Sequence, residues 1–326
     1  ARKKVTGMIF MPSPTPKQKI AQGEMFGGAY VEVILVGDTF DDASKQAREY
    51  CKANAMHFVH PFDDEKVIEG QATIGLEILA QSKVGIDYLF LPVGGGGVAS
   101  GVSSVFKALS PNTKIIGVEP EGAPSMSTSI SSGENTPLQD IEKFVDGASV
   151  KRVGDLNFNI CKENLTQMTT VHEGKICQTI LDMYNKDAIV VEPAGAMTVA
   201  VLDQYREEIK GKNVVSLVSG SNNDITRTEE IKERALLYGG VKHYFIVRFP
   251  QRAGALKDFI EKVLGPKDDI THFEYSKKQS STNAPAVVGI ELGNASEFGA
   301  LKERMIEYDF YGEYLNNKPD LFQFLV

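Results

Sequence analysis

The sequence contains few of the residues that build disulfide frameworks or metal sites. Its three cysteines, Cys51, Cys161 and Cys177, are odd in number and widely spaced, which fits neither paired disulfides nor a zinc motif. Its five histidines include no pair at metal-ligand spacing. We therefore expect reduced thiols, as in a cytoplasm, and no resident metal.

Long apolar runs and blocks of one charge are also missing. No stretch approaches the ~20 apolar residues that a membrane-spanning helix needs, and the basic start leads into a strand-like segment instead of a signal core. The net charge of -8 comes from acids scattered among bases, so no nucleic-acid-binding patch is indicated. We expect small molecules or further copies of this chain as partners, and neither nucleic acid nor membrane.

Short apolar runs alternate with amphipathic stretches up to residue 237. This order predicts parallel strands joined by helices, an α/β architecture of open sheets. Helix starts are indicated after Thr15, after Asp38 and at Pro193. Predicted strands occupy residues 7–11, 30–36, 57–59, 88–93, 114–118, 166–171 and 213–218.

The last quarter of the chain has a different pattern, which begins after Gly239 and Gly240. It predicts a strand at 243–249, a helix at 255–264, strands at 270–276 and 286–292, a helix at 296–307, and a short terminal strand or loop. This order fits a small α+β module of the ferredoxin-like kind. It has no long glycine-rich loop, so we expect the chemistry to lie in the first part.

Four consecutive glycines, within Pro-Val-Gly-Gly-Gly-Gly-Val at 92–98, separate a buried-looking strand from an Ala/Ser/Val-rich helix. Such a turn exposes backbone N–H groups at a helix N-terminus, which suits a phosphate group. The alternative is a flexible strand-to-helix turn. The pattern is neither a P-loop nor a dinucleotide fingerprint.

Three further segments follow apolar strands or begin a helix. Ser219 and Gly220 follow the strand at 213–218, so their loop should lie at the same sheet edge as the glycines, where ligands bind in open α/β sheets. Glu192 precedes Pro193 and a run of small residues, and Glu119 precedes a proline at a strand end. A local turn, simple helix packing and a plain turn, respectively, are the alternatives for these segments.

The four features occur together and in order, and in this they resemble the fold-type II pyridoxal-phosphate enzymes, whose fold is that of the tryptophan synthase β chain. The resemblance is strongest to threonine dehydratase and covers the whole sequence. It includes Met-Pro-Ser-Pro-Thr-Pro at 11–16, His-Pro-Phe-Asp-Asp at 60–64 and Phe-Val-Asp-Gly-Ala at 144–148. The end of the chain is similar to a single ACT-like regulatory domain, which serine dehydratases and racemases lack.

The resemblance implies three domains: residues 1–57 as the remainder of a small domain, 58–238 as the large cofactor-binding domain and 241–326 as the ACT-like domain. It implies that the cofactor is pyridoxal 5'-phosphate, with Ser219 as the partner of the pyridine nitrogen and Glu192 beside the ring. A neutral hydroxyl gives a weaker electron sink than aspartate would, which is sufficient for elimination. The residues that the resemblance implies around the cofactor phosphate are Gly94, Gly95, Gly96, Gly97 and Val98.

Two departures from the family pattern concern chemistry. The family's Ser-Phe-Lys-x-Arg-Gly-Ala segment, whose lysine forms the Schiff base, is not in the printed sequence; we expect it upstream of Ala1 and expect the printed chain alone to be inactive. In relatives that bind a divalent cation, a glutamate, a carbonyl and an aspartate form the site. Glu119 and Ala123 match, but Ser125 stands at the third position, so a monovalent ion or water is expected before magnesium.

The function implied is conversion of L-threonine to 2-oxobutanoate and ammonia in isoleucine biosynthesis. The ACT-like domain implies allosteric control by isoleucine and valine, with an effector bound near Arg252, Gly254 and Leu256, or else a hydrophobic pairing surface there. A homo-oligomer, tetramer or dimer, is expected in the cytoplasm. Two alternatives stay open: a non-catalytic fragment that binds amino acid or cofactor, and a serine dehydratase or racemase.

Overall fold

The computed structural model describes residues 4–15, 17–275, 283–318 and 320–322. The chain divides into two compact units, Ala1–Thr228 and Glu229–Val326. The predicted fold class is confirmed: the first unit is α/β with parallel sheets and the second is α+β. The finer division of the first unit at residue 57 stays a prediction.

The first unit begins with a two-stranded parallel sheet. Strand β1 (Gly7–Met11) pairs with β2 (Val31–Leu35), and helix α1 (Lys17–Gly27) connects them. Helix α2 (Phe40–Ala53) follows and begins with a capping box, in which the Thr39 hydroxyl accepts a hydrogen bond from the backbone N–H of Asp42 at 3.1 Å. The cap is therefore Thr39 and not Asp38, because the threonine side chain reaches the free N–H groups of the first turn.

A four-stranded parallel sheet forms the centre of the first unit, in the order β5-β4-β3-β6. Its strands are β3 (Tyr88–Pro92), β4 (Lys114–Pro120), β5 (Gln167–Val171) and β6 (Val214–Ser216). The helices of this part are α3 (Glu65–Gln81), α4 (Gly97–Leu109), α5 (Ser125–Ser132), α6 (Asp155–Asn164), α7 (Glu173–Asp187) and α8 (Pro193–Ala200). Helix α9 (Thr228–Tyr238) crosses into the second unit.

Strand β3 lies at the centre of this sheet and is buried along its whole length. Leu89, Phe90 and Leu91 have no exposed surface, and each such side chain contributes about 1.5–3 kcal/mol of hydrophobic stabilisation. Covering both faces explains why the strand has no polar alternation. The rigid strand gives the glycine loop that follows it a firm base.

One predicted strand is wrong. Residues 57–59 have no strand structure, although Val59 made the segment look apolar. Val59 is 64% exposed, so its side chain has no neighbouring sheet to pack against. Isolated β-branched or aromatic residues favour a strand only where a partner strand is available.

The second unit is a four-stranded antiparallel sheet in the order β10-β7-β9-β8. Its elements are β7 (Lys242–Pro250), α10 (Ala255–Lys262), β8 (Asp269–Tyr275), β9 (Asn283–Glu291), α11 (Phe298–Glu307) and β10 (Tyr311–Tyr314). The predicted order is confirmed, with a strand at the end; Ser276, predicted to end β8, lies outside the described residues. Four aromatic side chains pack edge to face in its core: Phe249, Phe259, Phe273 and Phe310.

None of the described helices combines the length and the apolar character that a membrane crossing demands. The three cysteines are free thiols, and burial raises the pKa of the Cys161 thiol to about 12. Cys161 is therefore an inert packing residue at neutral pH.

Candidate functional site

The glycine loop and the serine loop leave neighbouring parallel strands at the same edge of the sheet. Strand β3 pairs with β6, with Phe90 opposite Ser216, and the N–H of Leu217 donates to the carbonyl of Phe90 at 3.1 Å. The glycine loop begins at Gly94, directly after β3, and Ser219 lies three residues after β6. Segments 125 positions apart in sequence thus border one crevice, where ligands bind in this class of fold.

The glycine loop presents free backbone donors at the start of helix α4. Gly96 caps the helix with a φ of +95°, a conformation that favours glycine. The N–H groups of Gly96, Gly97 and Val98 have no intrahelical acceptor, and no other acceptor for them occurs among the described residues. The first turn of α4 contains no acidic residue that would repel an anion.

Side chains cannot be added to this loop without a clash. A Cβ on Gly95 would lie 2.4 Å from the Phe62 ring, and a Cβ on Gly96 would lie 2.8 Å from Cβ of Asn157. A Cβ on Gly94 would lie 2.8 Å from Cα of Ala148. The glycines are therefore required by packing beneath the loop, and the exposed N–H groups are left for a ligand.

Glu192 and Gly220 join the serine loop to the start of helix α8. The N–H of Glu192 donates to the carbonyl of Gly220 at 3.0 Å, and the N–H of Asn222 donates to the Glu192 carboxylate at 3.3 Å. A Cβ on Gly220 would lie 2.4 Å from that carboxylate. Burial raises the pKa of Glu192, and the nearby charge of Asp146 acts in the same direction.

A second close approach links Glu192 to the segment at 144–148. A Cβ on Gly147 would lie 2.9 Å from Cβ of Ala194 and 3.6 Å from the Glu192 carboxylate. Ala148, next to it, lies beneath Gly94 as described above. The structure therefore brings together Gly94, Gly147, Glu192 and Gly220, although sequence reasoning treated them as separate segments.

Ser219 is exposed at the edge of this crevice, and its hydroxyl is free of partners among the described residues. The loop after it is held by Asp224, whose carboxylate accepts hydrogen bonds from the N–H groups of Lys17 and Gln18 at 3.0 and 3.1 Å. Asp224 thereby caps helix α1. The anchor keeps the loop in place while the Ser219 hydroxyl stays available.

The Glu119 carboxylate is already used by the chain. One oxygen accepts from the N–H of Met126 at 2.6 Å, and the other accepts from the N–H and hydroxyl of Ser127 at 2.9 and 2.7 Å. Glu119 is 1% exposed, and burial raises its pKa to about 7. Ala123 and Ser125 bond to each other through the backbone at 3.0 Å, so the cation proposed for Glu119 and Ala123 stays a prediction.

The second unit has a cavity of about 240 Å³ at the turn between β7 and α10. Gly254 caps α10 with a φ of +83°, which leaves the N–H groups of the first turn directed outward. Arg252 forms an ion pair with Asp258 beside it. The lining includes the three residues that the sequence singled out and aromatic side chains from two strands: Phe249, Arg252, Gly254, Leu256, Phe273 and Tyr275.

Sequence reasoning missed three residues beneath the glycine loop: Phe62, Asp63 and Asn157. Phe62 and Asp63 belong to the His-Pro-Phe-Asp-Asp segment, which was noted only as part of a resemblance. Asn157 lies in helix α6 and has no motif around it. Its burial, with no exposed surface, is visible only in the folded chain.

Comparisons with known proteins agree with this geometry. A model of the family described as "Pyridoxal-phosphate dependent enzyme" matches residues 1–220, and one described as "C-terminal regulatory domain of Threonine dehydratase" matches residues 233–325. The chain is 52% identical to "L-threonine dehydratase biosynthetic IlvA" of Halalkalibacterium halodurans over 99% of this chain and 78% of the relative. Identity to the protein of the same name in Bacillus subtilis is 51%, over 99% of this chain and 76% of the relative.

Solved structures give the same result. The processed form of threonine deaminase isoform 2 from Solanum lycopersicum aligns with a TM-score of 0.65 and 40% identity, over 71% of this chain and 63% of that one. A bacterial threonine deaminase, from the organism abbreviated T.th., aligns with a TM-score of 0.63 and 31% identity, over 69% of this chain and 72% of that one. The chain thus spans about three quarters of the length of its sequence relatives and less than two thirds of the Solanum chain.

Proposed function

We propose that this chain, which belongs to the family of pyridoxal-phosphate dependent enzymes, is the greater part of a regulated L-threonine dehydratase of isoleucine biosynthesis. Dehydration of L-threonine, followed by hydrolysis, yields 2-oxobutanoate and ammonia. The observation that carries this proposal is the 52% identity to a biosynthetic threonine dehydratase over 99% of the chain, with the matching C-terminal regulatory domain.

The glycine loop is suited to hold the phosphate of the cofactor. When bound, pyridoxal phosphate supplies an electron sink for the negative charge that develops at the substrate α-carbon. Gly94 to Gly97 keep the backbone close, and the free N–H groups of Gly96, Gly97 and Val98 donate to phosphate oxygens. The start of helix α4 adds about 0.3–1 kcal/mol of attraction for an anion.

Ser219 is the proposed partner of the pyridine nitrogen. Its hydroxyl can bond to the nitrogen without holding a proton on it, unlike an aspartate. A site of this kind draws electrons only moderately, which suits a reaction in which the departing β-hydroxyl takes up the negative charge at once. Transamination, which needs a stronger electron sink, is disfavoured for the same reason.

Glu192 is proposed as the wall beside the ring. Its carboxylate contacts Gly220 and accepts from Asn222, so it also sets the position of the serine loop. The raised pKa of Glu192 favours the neutral form near a cofactor that already has negative charge on its phosphate. We assign no residue of this chain as the base that takes the α-proton.

The proposed function is tested by turnover in the complete native protein supplied with pyridoxal phosphate. We expect 2-oxobutanoate from L-threonine at a higher kcat/KM than pyruvate from L-serine, measured by reduction of each product with a coupled dehydrogenase. A preference for L-serine would replace the proposal with the serine-specific alternative. Absence of any visible cofactor band would favour a non-catalytic binding protein.

The cavity of the second unit is proposed as the effector site for isoleucine and valine. A branched-chain amino acid could place its carboxylate at the free N–H groups after Gly254 and beside Arg252, and its apolar side chain against Phe273 and Leu256. The volume of about 240 Å³ accommodates a ligand of this size.

Isothermal titration with L-isoleucine tests this site. We expect Arg252→Ala to weaken binding by about tenfold, as for loss of one charge-assisted hydrogen bond. Arg248→Ala is the control, because it removes an exposed arginine of β7 that does not line the cavity. Equal affinity in the two variants would exclude Arg252 from the effector site.

The protein is also proposed to form a homo-oligomer in the cytoplasm. The second unit exposes apolar side chains along α10 and the edge strand β8, and these would be covered by pairing: Leu256, Ile260, Phe273 and Tyr275 are each 39–47% exposed. Light scattering on the purified protein measures the number of copies. A monomer would contradict this part.

A further inference from the structure

The carbonyl of Gly95 is held by two donors on the side away from the crevice. The N–H of Gly154 donates to it at 3.1 Å, and Nδ2 of Asn157 donates to it at 3.0 Å. Nδ2 of Asn157 also donates to the carbonyl of Phe62 at 2.9 Å. Both hydrogens of the amide nitrogen are therefore used on backbone carbonyls, and this sets the orientation of the amide group.

Asn157 is itself fixed by the preceding turn of its helix. The Asp63 carboxylate accepts from the N–H groups of Asp155, Leu156 and Asn157, at 2.9, 3.0 and 3.4 Å, and so caps helix α6. Asn157 has no exposed surface, and its Oδ1 has no hydrogen-bond partner among the described residues. A buried amide with one unused oxygen costs stability, so its retained contacts are those made through Nδ2.

The direction of the Gly95 carbonyl determines the direction of the next N–H. A peptide group is planar and trans, so the carbonyl of Gly95 and the N–H of Gly96 point to opposite sides. The two donors draw the carbonyl toward helix α6 and turn the N–H of Gly96 the other way. Gly96 also rests directly on Asn157, because a Cβ there would lie 2.8 Å from Cβ of the asparagine.

We propose that Asn157 is a positioning residue for the cofactor phosphate: it holds the Gly95 carbonyl so that the N–H of Gly96 faces the crevice. The inference rests on the proposed function, because it takes the phosphate of pyridoxal phosphate as the ligand of the glycine loop. Asn157 does not touch the cofactor. It acts through one peptide group, and its effect should be confined to ligands that carry a phosphate.

Calorimetric titration of the cofactor-free native protein with pyridoxal phosphate and with pyridoxal, which lacks the phosphate, tests this. We expect Asn157→Ala to weaken binding of pyridoxal phosphate about tenfold, since two neutral hydrogen bonds that orient the loop are lost. Binding of pyridoxal should change by less than about twofold. Asn157→Thr restores one hydroxyl donor and should recover part of the loss.

Asn164→Ala is the matched control. It removes an asparagine from the other end of the same helix, where Nδ2 lies 3.4 Å from the hydroxyls of Ser103 and Ser104. It should bind both ligands as the native protein does. If Asn157→Ala is too unstable to purify, Asn157→Thr, with about half of the loss, makes the same comparison.

The outcomes separate this inference from the proposed function. Equal weakening for pyridoxal phosphate and pyridoxal would show that Asn157 only supports packing, and an unchanged affinity for both would show that it does not orient the loop. Either result overturns the inference and leaves the proposed function standing. Failure of the native protein to bind pyridoxal phosphate would reject the proposed function and this inference with it.

Discussion

Replacing Gly96 with alanine should both destabilise the first unit and weaken cofactor binding. The φ of +95° costs an alanine about 1–2 kcal/mol. The new Cβ would also lie 2.8 Å from Cβ of Asn157 and 3.0 Å from Cε of Met126, and crowding of this kind costs about 1–3 kcal/mol. We therefore expect Gly96→Ala to lower the free energy of unfolding by roughly 2–5 kcal/mol.

Gly133 provides a matched control in the same unit. It has a φ of +83°, but no atom lies within 4 Å of the position that a Cβ would take. Gly133→Ala should therefore cost only the backbone strain, about 1–2 kcal/mol. The entropy gained by replacing glycine in the unfolded chain is the same for both variants and cancels in the comparison.

The assay is thermal unfolding of the cofactor-free protein, followed by titration with pyridoxal phosphate. In a unit of this size, 1 kcal/mol corresponds to roughly 2–4 °C in Tm, so the two variants should be separated by at least a few degrees. Gly96→Ala should also bind the cofactor at least about tenfold more weakly, whereas Gly133→Ala should bind it normally. A Gly96→Ala protein with native affinity would refute the assignment of the phosphate to this loop.

Three other predictions concern the charge of Glu119, the hydroxyl of Ser219 and the substrate of the enzyme. The folded pKa of Glu119 is raised from 4.5 to about 7, so the protonated form favours the folded state: this contribution, on the order of 3 kcal/mol, is present below pH 4.5 and is lost as pH rises through 7. Glu119→Gln should lack it, and Tm measured for both proteins from pH 5 to pH 8 should show a steeper decline in the native protein; parallel curves would contradict the raised pKa. Ser219→Ala should weaken cofactor binding by several-fold, the value of one neutral hydrogen bond, while Ser221→Ala, two residues further along the same loop, should not; equal affinities measured by calorimetry would remove Ser219 from the site. L-threonine should protect the loaded protein against thermal unfolding more than L-serine at equal concentration, which differential scanning fluorimetry would detect.

The position of the site follows from two long-range consequences of one parallel sheet. Strands β3 and β6 are far apart in sequence but adjacent in space, so their following loops share an edge. Sequence periodicity identified both strands and both loops, because strand formation leaves a local apolar pattern. Only the register of Phe90 with Ser216 shows how the two loops are aligned.

The sequence by itself determined the fold class, the order of elements in the second unit and the loops that follow the central strands. These features depend on local patterns: apolar runs, helix starts and glycine turns. The boundaries of β4 and β6 and the missing strand at 57–59 differ from expectation, since the end of a strand depends on where its neighbour stops pairing.

Tertiary structure alone decided what lies beneath and beside the loops. Asn157, Asp63 and Phe62 meet the glycine loop through packing of segments that are 60 to 95 positions apart, and no local pattern records such contacts. The use of Glu119 as a cap for helix α5 was equally hidden, because a strand-end carboxylate looks the same in sequence whether it binds an ion or backbone N–H groups. Local propensity selects the elements, and the pairing of buried polar groups, which must find partners away from water, selects their arrangement.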